Sequence, residues 1–124
     1  MQLTEIEKKN IRATWVNREK RSREEKAELM QNALITAQKA AAFLRVKYNV
    51  NHIYLYGSLS RYECFDSLSD IDIFIEGWNR DHDFWKMLGE AEFLAKPFHI
   101  SIVTHEEASS SLINEVYKEG RLLL

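Results

Sequence analysis

The sequence predicts an α+β fold, a small mixed sheet with helices packed mainly on one face, and three observations carry that reading. Short runs at His52–Tyr56, Asp70–Ile75 and Phe98–Val103 alternate in the period of two that marks strands. Longer stretches around them place apolar residues every three or four positions, the signature of amphipathic helices. Turn-forming groups separate the two kinds of segment: Asn49-Val50-Asn51, Glu76-Gly77-Trp78-Asn79 and Lys96-Pro97.

At 124 residues the chain fits one core rather than two. Its 45% hydrophobic and 29% charged content is that of an ordinary globular protein. A formal charge of −2 gives no overall field to hold nucleic acid, so bulk nucleic-acid binding is not expected, although a local basic patch stays open. Cys64, the one cysteine, has no partner for an internal disulfide. No apolar run approaches the length of a membrane span or a signal sequence. The expectation is a cytoplasmic protein with no membrane attachment.

Taken in order, residues 1–25 form a charged helical extension and residues 26–124 the domain proper. The extension mixes both signs of charge without glycine or proline, which favours helix over disorder. Its basic cluster reads as a solvated face or as a contact for RNA or an acidic partner, and Trp15 there needs cover from the domain or another chain. From Lys26, the positions Met30, Leu34, Ala37, Ala41, Leu44 and Tyr48 recur at helical spacing, with a small-residue face able to lie close to a sheet. Asn49-Val50-Asn51 ends that helix. The first strand follows, with Ile53 and Leu55 inward and Tyr54 and Tyr56 opposite, where either tyrosine can pack or stack a base.

A polar loop spans Leu59 to Leu68, and the second strand places Ile71, Ile73 and Ile75 on the core face. A helix capped by Asp81 or Asn79 runs to about Ala95, with Phe84, Leu88 and Ala91 inward, and Lys96-Pro97 breaks it. The third strand turns Phe98, Ile100 and Ile102 one way and His99, Ser101 and Val103 the other. Thr104 with Glu107 then reads as a capping box opening a last helix that closes at Gly120. The tail Leu122-Leu123-Leu124 is too short for an anchor and is expected to pack on the sheet or a partner. The chemistry sits around the second strand. Asp70 and Asp72 project from one face, and two neighbouring carboxylates call for a cation such as a divalent metal bound through oxygen. Just upstream, Gly57 lets the backbone come close to an anion, with the Ser58 hydroxyl beside it. Magnesium keeps waters and takes one or two carboxylates plus substrate phosphates, which suits a nucleoside triphosphate. The plainer alternative is a hairpin with two solvated aspartates.

Gly57-Ser58, the loop through Arg61, and Ser69-Asp70-Ile71-Asp72 resemble the signature of the polymerase-beta nucleotidyltransferase superfamily, in its minimal single-domain (MNT) branch. The resemblance runs from about Arg23 to the C-terminus. It implies that Asp70 and Asp72 are catalytic and hold Mg2+ (or Mn2+), that Gly57 and Ser58 grip the phosphates of ATP, and that Arg61 assists beside the triphosphate. Two positions depart from the pattern. Tyr62 stands where glycine usually follows the arginine, and Ser101 stands at the position of the third metal-binding carboxylate. The resemblance implies transfer of AMP from ATP to a hydroxyl, with an antitoxin role that silences a HEPN-type ribonuclease toxin by adenylylating it on tyrosine. Two other classes stay open: a silent module that neutralises its partner by contact, and a small-molecule adenylyltransferase, which needs a further acceptor-binding domain or a homodimer cleft. A homo-oligomer is compatible with any of these.

Overall fold

A computed structural model describes residues 2–61, 65–66 and 69–124. Helix α1, Glu5–Tyr48, runs unbroken for 44 residues. It opens on a capping box: the Thr4 hydroxyl accepts from the Glu7 amide at 3.1 Å, and the Glu7 carboxylate accepts from the Thr4 amide at 3.3 Å. It closes at Asn49, whose left-handed φ of 54° turns its N–H back to the Arg45 carbonyl. Burial divides the helix where hydrogen bonding does not. Residues 2–28 are exposed, Leu29 and Met30 are half-buried, and Ala33, Ala37, Ala40, Ala41 and Leu44 are fully buried. Alanine along that face lets the helix axis approach the core closely, while Trp15, 60% exposed, is not covered by the rest of the chain.

The remaining elements are β1 (His52–Tyr56), α2 (Ser58–Arg61), β2 (Asp70–Glu76), α3 (Phe84–Ala95), β3 (His99–Thr104), α4 (Ser110–Glu119) and β4 (Arg121–Leu122). They form one mixed sheet in the order β3-β2-β1-β4. β1 runs antiparallel to both β2 and β4, and β2 pairs parallel with β3 through the α3 crossover that a parallel pair requires. Ile53, Leu55, Ile71, Ile73, Ile75, Ile100 and Ile102 fill one face, and α1 and α3 cover it. On the other face Phe74 is fully buried beneath the rings of Tyr54, Tyr117 and His105, so α4 covers only part of that side. The portion left open carries the acids.

Several local expectations are corrected. The segment after Gly57 is not loop from Leu59 onward but begins with the helical turn α2. Asp83, rather than Asp81 or Asn79, caps α3, accepting from the Lys86 amide at 3.2 Å; Asn79 instead accepts from the Asp81 amide in its own turn. Thr104 does not open a helix. It ends β3, 3% exposed, and its carbonyl accepts from the amides of Glu107 and Ala108 in a turn. The last helix starts six residues later at Ser110, capped by Ser109 through the Leu112 amide. Its end at Gly120 is as expected. The third strand begins at His99 rather than Phe98, and the tail adds β4 to the sheet edge, with Leu123 buried. Tyr62, Glu63, Cys64, Ser67 and Leu68 lie outside the described residues.

Candidate active site

Strand register brings the site residues into rows. Asp72 on β2 is the Cα partner of Tyr56 on β1 and of Ser101 on β3, so the three stand side by side across one face. Neighbouring strands lie about 4.8 Å apart, which makes Ser101 an immediate neighbour of Asp72. One row along, Asp70 pairs with His99, and both are exposed. A short turn sets the entry to β2: the Ser69 hydroxyl accepts from the Asp66 amide at 3.1 Å, and the Ser69 amide donates to the Asp66 carbonyl at 3.1 Å.

Gly57 follows Tyr56 with a φ of +76°, a conformation that L side chains resist. A Cβ at this position would also collide with the Asp72 Oδ2 atom. The glycine therefore serves both the turn and the aspartate. α2 begins at the next residue, where amides lack partners within the helix. The Ser60 hydroxyl donates to the Gly57 carbonyl at 2.8 Å and ties the turn together. Ser58 is half-buried at the head of this turn, and Arg61 is exposed at its end. Arg61 forms no ion pair within 4 Å among the described residues.

Electrostatics marks out Asp72. Asp72 is pushed up to about 6, first by burial, then by the charge of Asp70, then by Glu115 of α4. The Tyr56 hydroxyl is pushed up to about 12 by burial and by the charges of Asp72 and Glu115, so it stays a protonated donor. Glu115 is a site residue that the sequence did not disclose; it reaches this face because α4 crosses it. Uncompensated acid is what a cation would relieve, and a half-buried carboxylate beside an exposed one fits a magnesium ion that completes its shell with waters and phosphates. Among the described residues, no three His, Cys, Asp or Glu side chains converge as a metal cage. Asp70 and Asp72 are the carboxylates that share this face of β2. A separate cavity of about 730 Å³ at the end of β3, lined by Trp78, Phe84, Trp85 and Val103, excludes both aspartates.

This arrangement, with paired acids on a central strand and a glycine turn ahead of them, is the architecture of a nucleotidyltransferase domain. Residues 38–124 match the family described as polymerase beta, nucleotidyltransferase, and the chain belongs to that family. Solved structures agree on the fold. A mutant of the toxin–antitoxin complex MntA–HpeT is 24% identical with a TM-score of 0.59, covering 71% of this chain and 72% of that one. A toxin–antitoxin with AMP-PNP is 24% identical with a TM-score of 0.58, covering 70% and 72%. The tri-AMPylated Shewanella oneidensis HEPN toxin in complex with MNT antitoxin is 24% identical with a TM-score of 0.55, covering 74% and 71%. No curated protein is significantly similar to the chain. Among the described residues, no helix is long and apolar enough to cross a membrane.

Proposed function

We propose that this chain is a magnesium-dependent nucleotidyltransferase that moves AMP from ATP to a hydroxyl of a HEPN-type toxin, acting as its antitoxin in the cytoplasm. The observation that carries this reading is the placement of Asp70 and Asp72 on one open sheet face with Gly57 against the second carboxylate. The toxin–antitoxin structures of the same fold, one with AMP-PNP and one with an AMPylated HEPN toxin, support the nucleotide and the partner.

In this scheme Asp70 and Asp72 hold the metal, which supplies charge neutralisation on the triphosphate when bound. Gly57 and the Ser58 hydroxyl lie against phosphate oxygens, and the exposed guanidinium of Arg61 adds a second cation. The acceptor oxygen attacks the α-phosphorus in line: the new P–O bond forms as the bond to the bridging oxygen of pyrophosphate breaks, and pyrophosphate leaves with its electron pair. The acceptor proton passes to a carboxylate or to solvent. Ser101 cannot take it as an aspartate would. Positioning and charge stabilisation supply most of the rate in such a displacement.

Ser101 beside Asp72 favours a second reading, a silent module that blocks its partner by contact. Intact-mass measurement of a HEPN-type toxin incubated with this chain, ATP and magnesium separates the two. An AMP increment with the wild type and none with Asp72→Asn supports transfer. Equal neutralisation of the toxin by both, without an increment, supports contact alone.

A further inference from the structure

The exposed half of α1 carries a feature that the nucleotidyltransferase chemistry does not use. Between Lys8 and Arg23 it holds seven basic residues and one acid, Glu19, in a chain whose formal charge is −2. At 3.6 residues per turn, Lys9, Arg12, Lys20 and Arg23 fall with Val16 inside an arc of about 80°, over a length of about 20 Å. All four are exposed. None pairs with a carboxylate among the described residues; the one ion pair on this half of the helix joins Lys8 to Glu5 at 3.9 Å. The stripe also lies outside residues 38–124, the part matched by the family.

What this surface can bind follows from what it lacks. A second helix, from another copy or another protein, needs an apolar seam. Here Ile11 and Trp15 form one i,i+4 pair, but Ile6 points about 180° from Trp15 and Val16 about 100° from it, so no apolar seam continues along the helix. The apolar residues are scattered, whereas the unpaired cations are aligned. Their natural complement is a linear polyanion whose phosphates repeat every ~3.4 Å along a strand, about six of them over the length of the stripe. We propose that Lys9, Arg12, Lys20 and Arg23 form a docking stripe for the phosphodiester backbone of a nucleic acid. Contacts of this kind read no sequence, because phosphate oxygens are the same at every base.

Fluorescence anisotropy of the full chain with labelled 20-nucleotide single-stranded RNA, the same DNA strand and a 20-base-pair duplex tests this, and the three probes identify the form preferred. Four phosphate contacts give a slope of log affinity on log salt of about −3 for a single strand, a loss of roughly 60-fold between 50 and 200 mM. The variant Lys9→Gln/Arg12→Gln/Lys20→Gln/Arg23→Gln keeps good helix formers, so circular dichroism should be unchanged while affinity falls at least tenfold and the slope flattens. Lys39→Gln/Lys118→Gln, elsewhere on the chain, should bind as wild type. No binding at 20 mM salt, or equal binding by the quadruple variant, overturns the proposal. So does concentration-dependent self-association in sedimentation that the variant abolishes without any nucleic-acid binding, because the stripe would then join copies of the protein.

Discussion

Gly57 is held by two constraints at once, a positive φ and the carboxylate of Asp72 packed against it. Gly57→Ala should therefore lower stability by ~1–3 kcal/mol in urea denaturation and abolish nucleotide binding, since strain and collision act on the same residue. Asp72 gives a pH-dependent prediction. Its folded value of about 6 lies above the ordinary carboxylate value of 3.8, so ionisation opposes folding, and the stability present at low pH is lost as pH rises through that interval. Asp72→Asn should raise the melting temperature at pH 8 and leave it unchanged at pH 3.5. For a group this exposed the gain is on the order of 1 kcal/mol after solvent screening. Glu115→Gln should lower the pH at which Asp72 titrates, read by carboxylate NMR, whereas Ser101→Asp should raise it and tighten magnesium binding by adding a third acid to the row. The placement of Asp70 and Asp72 on one face of a strand, and the turn at Gly57-Ser58, were legible because each pattern lies within a few residues of one strand or turn. Glu115 was not, because its nearness depends on how α4 crosses the sheet and leaves no local mark.

The three longer strands and the sheet-facing helices were readable from periodicity because each buries one face. Helix starts were harder, and α4 shows why. Thr104-x-x-Glu107 has the residues of a capping box, but the β2–β3 ladder claims Thr104 first, through its pairing with Ile75. Ser109 does the capping instead. Ser109→Ala should cost about 1 kcal/mol of stability, as loss of a capping hydroxyl typically does, while Glu107→Ala on the exposed turn should change it by less than about 0.5 kcal/mol. The genuine capping box, Thr4 with Glu7, lies at the start of the charged extension, which the sequence reading bounds from the amphipathic segment between residues 25 and 26. No such boundary exists in the hydrogen bonding, since α1 is continuous.

At the scale of the molecule, α1 belongs to two environments. Its second half forms a wall of the core; its first half stands in solvent without the tertiary packing that supplies most helical stability in proteins. Amide exchange should report the division, with fast exchange through residues 5–26 and protection approaching the global value at 33–48. The core ends in a sheet face that α4 covers over Phe74 and leaves open over the acids. The central claim is that Asp70 and Asp72 make this open face a magnesium–nucleotide site. Calorimetric titration with ATP, with and without magnesium, tests it on the wild type and on Asp70→Asn/Asp72→Asn. Magnesium-dependent binding that the double variant loses is the predicted result; ATP binding of equal strength in the variant, or none by the wild type with magnesium present, would contradict it.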